Sequence, residues 1–199
     1  MYEKIARLLT KKLAKLKVLE QEDFDVYVYG ITLIISLIVV LLSILFTAAL
    51  LNKMLETSIY LIGFLLTRFI CGGYHAKHFY SCFISTNLTY WLFLLVLSLT
   101  YNCNSYKLFI FVITLLSVII INIFAPIENH NNYMSSYRKK RNKKYILILS
   151  VFAINILFLY SKTNFSLSPP FLLGIFIASL TVLLAKAESL YNKLKGESK

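Results

Sequence analysis

The amino-acid sequence predicts an all-α integral membrane protein: a polytopic helix bundle of about six membrane segments, preceded by an amphipathic interfacial helix. Hydrophobic residues make up 58% of the 199-residue chain and charged residues 15%, whereas a soluble domain is about half apolar and a quarter charged. The mean hydropathy is +0.71. Because this length leaves no room for an additional soluble catalytic domain, we predict one membrane domain over residues 1–199, with any active site in or beside the bilayer.

The first 24 residues predict the amphipathic helix. Ile5, Leu8 and Leu9 recur at three- and four-residue steps, and basic residues fill most positions between them. This pattern is typical of a helix that lies on the cytoplasmic leaflet. It is equally typical of a solvated charged helix that packs on the rest of the protein.

Six apolar runs follow. The first, residues 26–51, carries no charge and is long enough to cross roughly 30 Å of hydrocarbon. The second, residues 57–70, is shorter and leads into a polar stretch, so it is either a short span or a re-entrant segment. The other four lie near the lower length limit for a span: residues 83–101, 108–125, 145–161 and 170–185.

The basic residues predict the orientation of the chain. If the N-terminus is cytoplasmic and the chain crosses six times, the cytoplasmic side holds 18 of the 21 Lys and Arg residues, and the other side holds Lys53, Lys107 and Lys162. Cytoplasmic loops are enriched in Lys and Arg, so this partition supports six crossings. Topology therefore explains the net charge of +12, and no nucleic-acid partner is expected, because such a protein carries its cations on a soluble face.

A polar cluster between the second and third runs carries the candidate chemistry. It contains Gly72, Gly73, His75 and Cys82. A cysteine nucleophile needs a base to remove the thiol proton, and an imidazole supplies one. On an unbroken helix, His75 and Cys82 would be about 10 Å apart along the axis. We therefore expect the chain to bend or unwind at the glycine pair, while His78, four residues before Cys82, is the competing base.

The sequence favours neither a disulfide nor a metal site. The three cysteines, Cys71, Cys82 and Cys103, form no CxxC pair and no disulfide framework. The neighbouring His and Cys residues do not follow a zinc-ligand spacing, so no metal and no cofactor are expected. The predicted spans are nearly free of ionisable groups, which argues against ion pumps and proton-coupled transporters.

The polar cluster resembles the signature of the accessory gene regulator B (AgrB) family, membrane peptidases that process the precursor of a cyclic quorum-sensing peptide in Gram-positive bacteria. Arg68, Gly72, Gly73, His75 and Cys82 match the family's arginine, glycine pair, catalytic histidine and catalytic cysteine. The length, the basic N-terminus and the short spans agree along nearly the whole chain.

A second stretch carries the same resemblance. Ala125 and Pro126 are followed by Glu128, by Asn131 or Asn132 and then by a basic run, a pattern similar to the family's cytoplasmic loop. The two stretches together are identified as features of an AgrB-type protein.

The resemblance implies a cysteine endopeptidase that removes the C-terminal tail of an AgrD-like precursor peptide. Cys82 would attack the scissile carbonyl, and His75 would take the thiol proton and return it to the leaving amine. The substrate's own Cys or Ser would then release a thiolactone or lactone from the acyl-enzyme. The resemblance also implies a homodimer in the cell membrane.

Several further residues are candidates for supporting roles. Arg68 either reaches lipid headgroups or anchors a substrate carboxylate or polarises the acyl-enzyme carbonyl. Glu128 or Asn129 is the candidate third member that would orient His75. The basic run is either a lipid-facing topogenic cluster or the site for an acidic peptide tail: Arg138, Lys139, Lys140 and Arg141.

The alternative function is a non-catalytic peptide exporter or membrane interaction protein. In that case Cys82 and His75 are incidental, since cysteines often behave as small apolar residues. Thiol alkylation separates the two hypotheses, because it would leave precursor processing intact only if Cys82 has no catalytic role.

Overall fold

The structure is a computed structural model that describes residues 2–15, 24–72, 79–102, 106–127, 135–163 and 167–194. Within these ranges the chain forms helices and no strands, so the predicted all-α fold is confirmed. The helices are α1 Tyr2–Lys15, α2 Phe24–Leu50, α3 Met54–Cys71, α4 Phe79–Asn102, α5 Tyr106–Phe124, α6 Ser136–Thr163 and α7 Ser168–Leu194.

Among the described residues, six helices, α2 to α7, are long and apolar enough to cross a membrane. This confirms the predicted number of membrane segments and shows a multi-pass membrane protein. Helix α3 contains the shortest predicted run and has 18 residues. At 1.5 Å per residue it is about 27 Å long, close to the hydrocarbon thickness of roughly 30 Å. Its length therefore favours a short span over a re-entrant segment.

Helix α1 packs against α2. Ala6 and Thr10 are buried in α1, whereas its apolar side chains Ile5, Leu8 and Leu9 are exposed. Its described basic side chains are exposed as well: Lys4, Arg7, Lys11 and Lys12. Residues 16–23 of the predicted helix lie outside the described residues, and the interfacial position of α1 stays a prediction.

The described residues form two compact units. The first unit contains α1, α2 and the beginning of α4 up to Leu88; the second contains α3, the remainder of α4, and α5 to α7. In the first unit the Ser43 hydroxyl of α2 lies 3.1 Å from Asn87 Oδ1 of α4. Interhelical hydrogen bonds of this kind contribute about 0.6–2 kcal/mol in membranes. That residues 1–199 act as one domain stays a prediction.

In the second unit, aromatic side chains hold α3 against the later part of α4. The rings of Tyr60 and Phe93 stack with their centroids 4.1 Å apart, and Tyr60, Tyr90 and Phe93 are fully buried. The Tyr90 hydroxyl lies 2.9 Å from Thr57 Oγ1, so the polar end of this buried tyrosine is satisfied.

Helix α7 forms the centre of the second unit, with most residues from 168 to 182 buried. It packs against α3 and α5. At the α3–α7 crossing, a Cβ atom on Gly63 would lie 2.5 Å from the Phe171 carbonyl oxygen, and one on Gly174 would lie 2.5 Å from the Tyr60 carbonyl oxygen. The two helices therefore approach backbone to backbone, as small residues permit at membrane helix interfaces.

Gly174→Ala should destabilise the protein, because the added methyl group meets backbone atoms that cannot rotate away. Overpacking of this kind costs roughly 1–3 kcal/mol. Gly30→Ala is the matched control, since nothing lies within 4 Å of its added Cβ and both changes gain the same helix propensity. Thermal unfolding in detergent measures the difference, and equal unfolding temperatures for the two variants would contradict the close crossing.

Candidate functional site

Helix α3 ends immediately before the glycine pair. Its last residue is Cys71, and Gly72 follows with φ 75°, a left-handed conformation that residues with a side chain rarely adopt. The Gly72 N–H donates to the Arg68 carbonyl at 3.0 Å. The predicted break is therefore present at Gly72, whereas Gly73, His75 and His78 lie outside the described residues.

Two distant segments satisfy carbonyl groups at the end of α3. The Ile127 N–H donates to the Cys71 carbonyl at 3.0 Å, and the Asn142 side-chain amide donates to the Ile70 carbonyl at 3.1 Å. These carbonyls have no partner within their own helix, and an unpaired backbone group in a bilayer costs several kcal/mol. The end of α3 is thereby joined to the segment after α5 and to α6.

The close approach of the Ile127 backbone also requires a glycine at position 72. A Cβ at this position would lie 2.9 Å from the Ile127 carbonyl oxygen, so two backbone segments cross here in direct contact. The glycine motif and the Ala125–Pro126 motif, which are far apart in the sequence, thus meet at the end of α3. Glu128 and Asn129 directly follow Ile127 and lie outside the described residues.

Cys82 is the fourth residue of α4. It carries a free thiol and is half-buried. The Cys82 carbonyl accepts hydrogen bonds from the hydroxyls of Thr86 at 2.8 Å and Ser85 at 3.2 Å. These bonds fix the local backbone of the residue that would act as nucleophile.

The other cysteines provide no second accessible thiol in the described part of the chain. Cys71 is 0% exposed at the end of α3, and Cys103 lies outside the described ranges. Within those ranges, no group of three or more His, Cys, Asp or Glu side chains could hold a metal ion. Of the two described cysteines, Cys82 is the more accessible.

Arg68 lies in the last turn of α3. Its guanidinium carbon is 5.8 Å from the centroid of the Phe64 ring, within the range of a cation–π interaction. The side chain is half-buried. This position is compatible with both roles considered for Arg68, lipid headgroup contact and contact with a substrate carboxylate.

The basic run lies on a helix and not in a connecting segment. Helix α6 begins at Ser136, well before the predicted apolar run at 145–161. The Ser135 hydroxyl lies 3.4 Å from the Arg138 N–H nitrogen, the geometry of an N-cap, and Lys and Arg are good helix formers. Hydropathy alone could not place this boundary. All six basic side chains are exposed: Arg138, Lys139, Lys140, Arg141, Lys143 and Lys144.

The comparison with known proteins gives a family and nothing closer. No curated protein and no solved structure matches the chain. A family model described as accessory gene regulator B matches residues 2–183, which include both stretches that meet at the end of α3. The chain therefore belongs to the accessory gene regulator B family and takes part in the processing of quorum-sensing peptides.

Proposed function

We propose that the protein is a membrane cysteine endopeptidase that removes the C-terminal tail of an AgrD-like precursor peptide. The main support is Cys82, a free and half-buried cysteine in the first turn of a membrane helix. It follows His75 by seven residues in a chain that belongs to the AgrB family. Membership of the family supports a role in peptide processing. The assignment of Cys82 as the nucleophile and His75 as the base is our proposal.

The proposed reaction has two steps. His75 removes the Cys82 thiol proton, and the thiolate attacks the scissile carbonyl carbon. The C–N bond then breaks, and His75 returns the proton to the departing tail amine, leaving a thioester between the leader peptide and Cys82. In the second step a Cys or Ser side chain of the substrate attacks the thioester, releasing the Cys82 thiol and a thiolactone or lactone. Exclusion of water favours cyclisation over hydrolysis.

Glu128 or Asn129 is the proposed partner that orients His75. Ile127, the residue before Glu128, is hydrogen-bonded to Cys71. Glu128 directly follows Ile127, and His75 follows Cys71 by four residues in the sequence. The side chains of Glu128 and Asn129 both accept hydrogen bonds, so either one can hold the His75 imidazole in the tautomer that accepts the thiol proton.

Arg68 is proposed to contact a substrate carboxylate or the acyl-enzyme carbonyl. The glycine pair contributes geometry instead, because Gly72 lets the chain leave α3 and cross Ile127 closely. Its neighbour Gly73 is assigned the same role by the family resemblance. A side chain at Gly72 would therefore displace the segment that leads to His75.

The first basic residues of α6, positions 138–141, form a basic turn that is proposed to bind the acidic tail of the precursor. Its cations are exposed on a preformed helix, so binding does not require this segment to fold first. An array of like charges also attracts an oppositely charged peptide over a distance. The proposed contacts are Arg138, Lys139, Lys140 and Arg141.

We also propose a cytoplasmic N-terminus, a cytoplasmic active site and a homodimer. Single-cysteine variants in a cysteine-free chain test the orientation. Asn52→Cys, Asn104→Cys and Thr163→Cys should react with a membrane-impermeant thiol reagent on intact cells, whereas Lys77→Cys and Lys140→Cys should react only after permeabilisation. This orientation is expected because it places 18 of the 21 Lys and Arg residues on the cytoplasmic side, where such residues are enriched. External labelling at position 77 would contradict the proposed location of the active site.

Co-expression with the precursor peptide, followed by mass analysis, tests the activity. The expected products are a free tail and a ring still joined to its leader. Intact precursor beside correctly inserted protein would reject the peptidase. Processing that continues after complete alkylation of Cys82 would instead favour the exporter or interaction protein.

A further inference from the structure

Asn142 is the one inward-facing residue of the basic run at 138–144. It is 8% exposed, while Arg141 and Lys143 on either side are exposed. A buried amide is unfavourable unless it is hydrogen-bonded, and Asn142 Nδ2 donates to the Ile70 carbonyl at 3.1 Å. A specific partner on α3 therefore determines its position.

This bond joins the beginning of α6 to the end of α3. The adjacent carbonyl, that of Cys71, receives the Ile127 N–H, so two successive carbonyls of α3 are held by two different segments. A shift of the end of α3 along α6 would break the Asn142 bond and disturb the close crossing at Gly72. The last turn of α3 and the first turns of α6 thus have a fixed register.

Two cations of the basic turn, Arg138 and Lys139, lie on the same side of α6 as this contact. Residues separated by three or four positions lie on the same side of a helix, so Arg138 and Lys139 are one turn, about 5.4 Å, from Asn142. The amide that contacts α3 and the cations that are proposed to bind the tail therefore belong to one rigid helical segment.

We propose that Asn142 is a positioning residue that fixes the end of α3 in register with the first turns of α6, so that a tail bound at Arg138 and Lys139 is held at a defined position relative to the end of α3. This inference rests on the proposed peptidase. Asn142 acts through the backbone of Ile70 and does not itself contact the substrate.

The expected effect falls on turnover and not on substrate binding. A displacement of about 1 Å in a reacting group can reduce the rate by about 10²-fold, whereas attraction between charges changes only slowly with distance. Asn142→Leu keeps a side chain of similar size and removes the donor. It should lower kcat at least about tenfold and change KM less than about threefold.

The experiment uses the purified full-length protein in lipid nanodiscs with the precursor peptide. Asn155→Leu is the matched control, because Asn155 lies on the same helix, is exposed, and donates within its own helix to the Val151 carbonyl. Asn142→Ala is the second variant, since alanine favours the helix. Size-exclusion chromatography and thermal unfolding report the amount of folded protein separately from activity.

The outcomes are distinct. Reduced kcat with nearly constant KM in the folded Asn142 variants, beside normal constants for Asn155→Leu, supports the positioning role. Unchanged kcat, or an increase in KM alone, would overturn it. Unfolding of both Asn142 variants while Asn155→Leu folds would overturn it as well, because Asn142 would then be a structural residue. Failure of the peptidase itself would differ, since the wild-type protein would not turn over the precursor.

Discussion

Replacing Cys82 by alanine is expected to abolish precursor cleavage without reducing membrane insertion. The thiol is the proposed nucleophile, and removing such a group from a catalytic unit lowers turnover by about 10⁴-fold or more. Cys82 is half-buried and its side chain is small, so alanine should leave α4 intact. Mass analysis of the released tail after co-expression measures cleavage, and the amount of protein in the membrane fraction measures insertion.

His75→Ala is expected to have the same effect, because His75 is the proposed base that removes the thiol proton. Three matched controls should retain most activity: Cys71→Ala, Cys103→Ala and His78→Ala. Cys71 is the most informative, since its thiol is 0% exposed and inaccessible to a peptide. Full processing by Cys82→Ala would reject the enzymatic assignment. Equal loss in Cys71→Ala and Cys82→Ala would show that the effect does not report the nucleophile.

The sequence predicts the helices better than it predicts their ends. The second predicted run begins at residue 57, but α3 begins at Met54 and includes Glu56. An apolar window excludes such a charge, yet Lys53 Nζ pairs with Glu56 Oε1 at 2.9 Å, and an acid in the first turn is favourable beside the helix dipole. An ion pair in its first turn thus extends α3 beyond its apolar stretch. Ser135 has the same effect on α6.

The contacts that organise the candidate site have no local signal in the sequence. The bond between Asn142 and Ile70 joins residues 72 positions apart, and that between Ile127 and Cys71 likewise depends on how the helices pack. In the sequence, Asn142 differs from its neighbours only in being an uncharged amide within a run of cations, and this does not identify its partner. The break at Gly72 was predictable, because glycine permits the left-handed backbone found there. The placement of His75, Glu128 and Asn129 beside these contacts stays a prediction.

A precursor whose ring-forming Cys or Ser is replaced by alanine should trap a covalent intermediate. The acyl group on Cys82 then loses its intramolecular acceptor, whose high effective concentration normally outcompetes water. The leader should accumulate as a thioester on Cys82 or appear slowly as a linear acid. The tail should still be released in a burst of at least one equivalent, because it departs before cyclisation. Rapid-quench sampling followed by intact-protein mass analysis measures both species.

Hydroxylamine separates this thioester from a tightly bound peptide. It should cleave the adduct and release the leader as its hydroxamate, whereas peptide held only by non-covalent contacts would leave on denaturation without that mass change. Cys82→Ala with the same precursor is the control and should give neither a burst nor an adduct. A precursor that binds the wild-type protein but produces no tail burst and no hydroxylamine-labile adduct would reject covalent catalysis by Cys82. Processing in the membrane would then have to be attributed to another protein, with this chain exporting or binding the peptide.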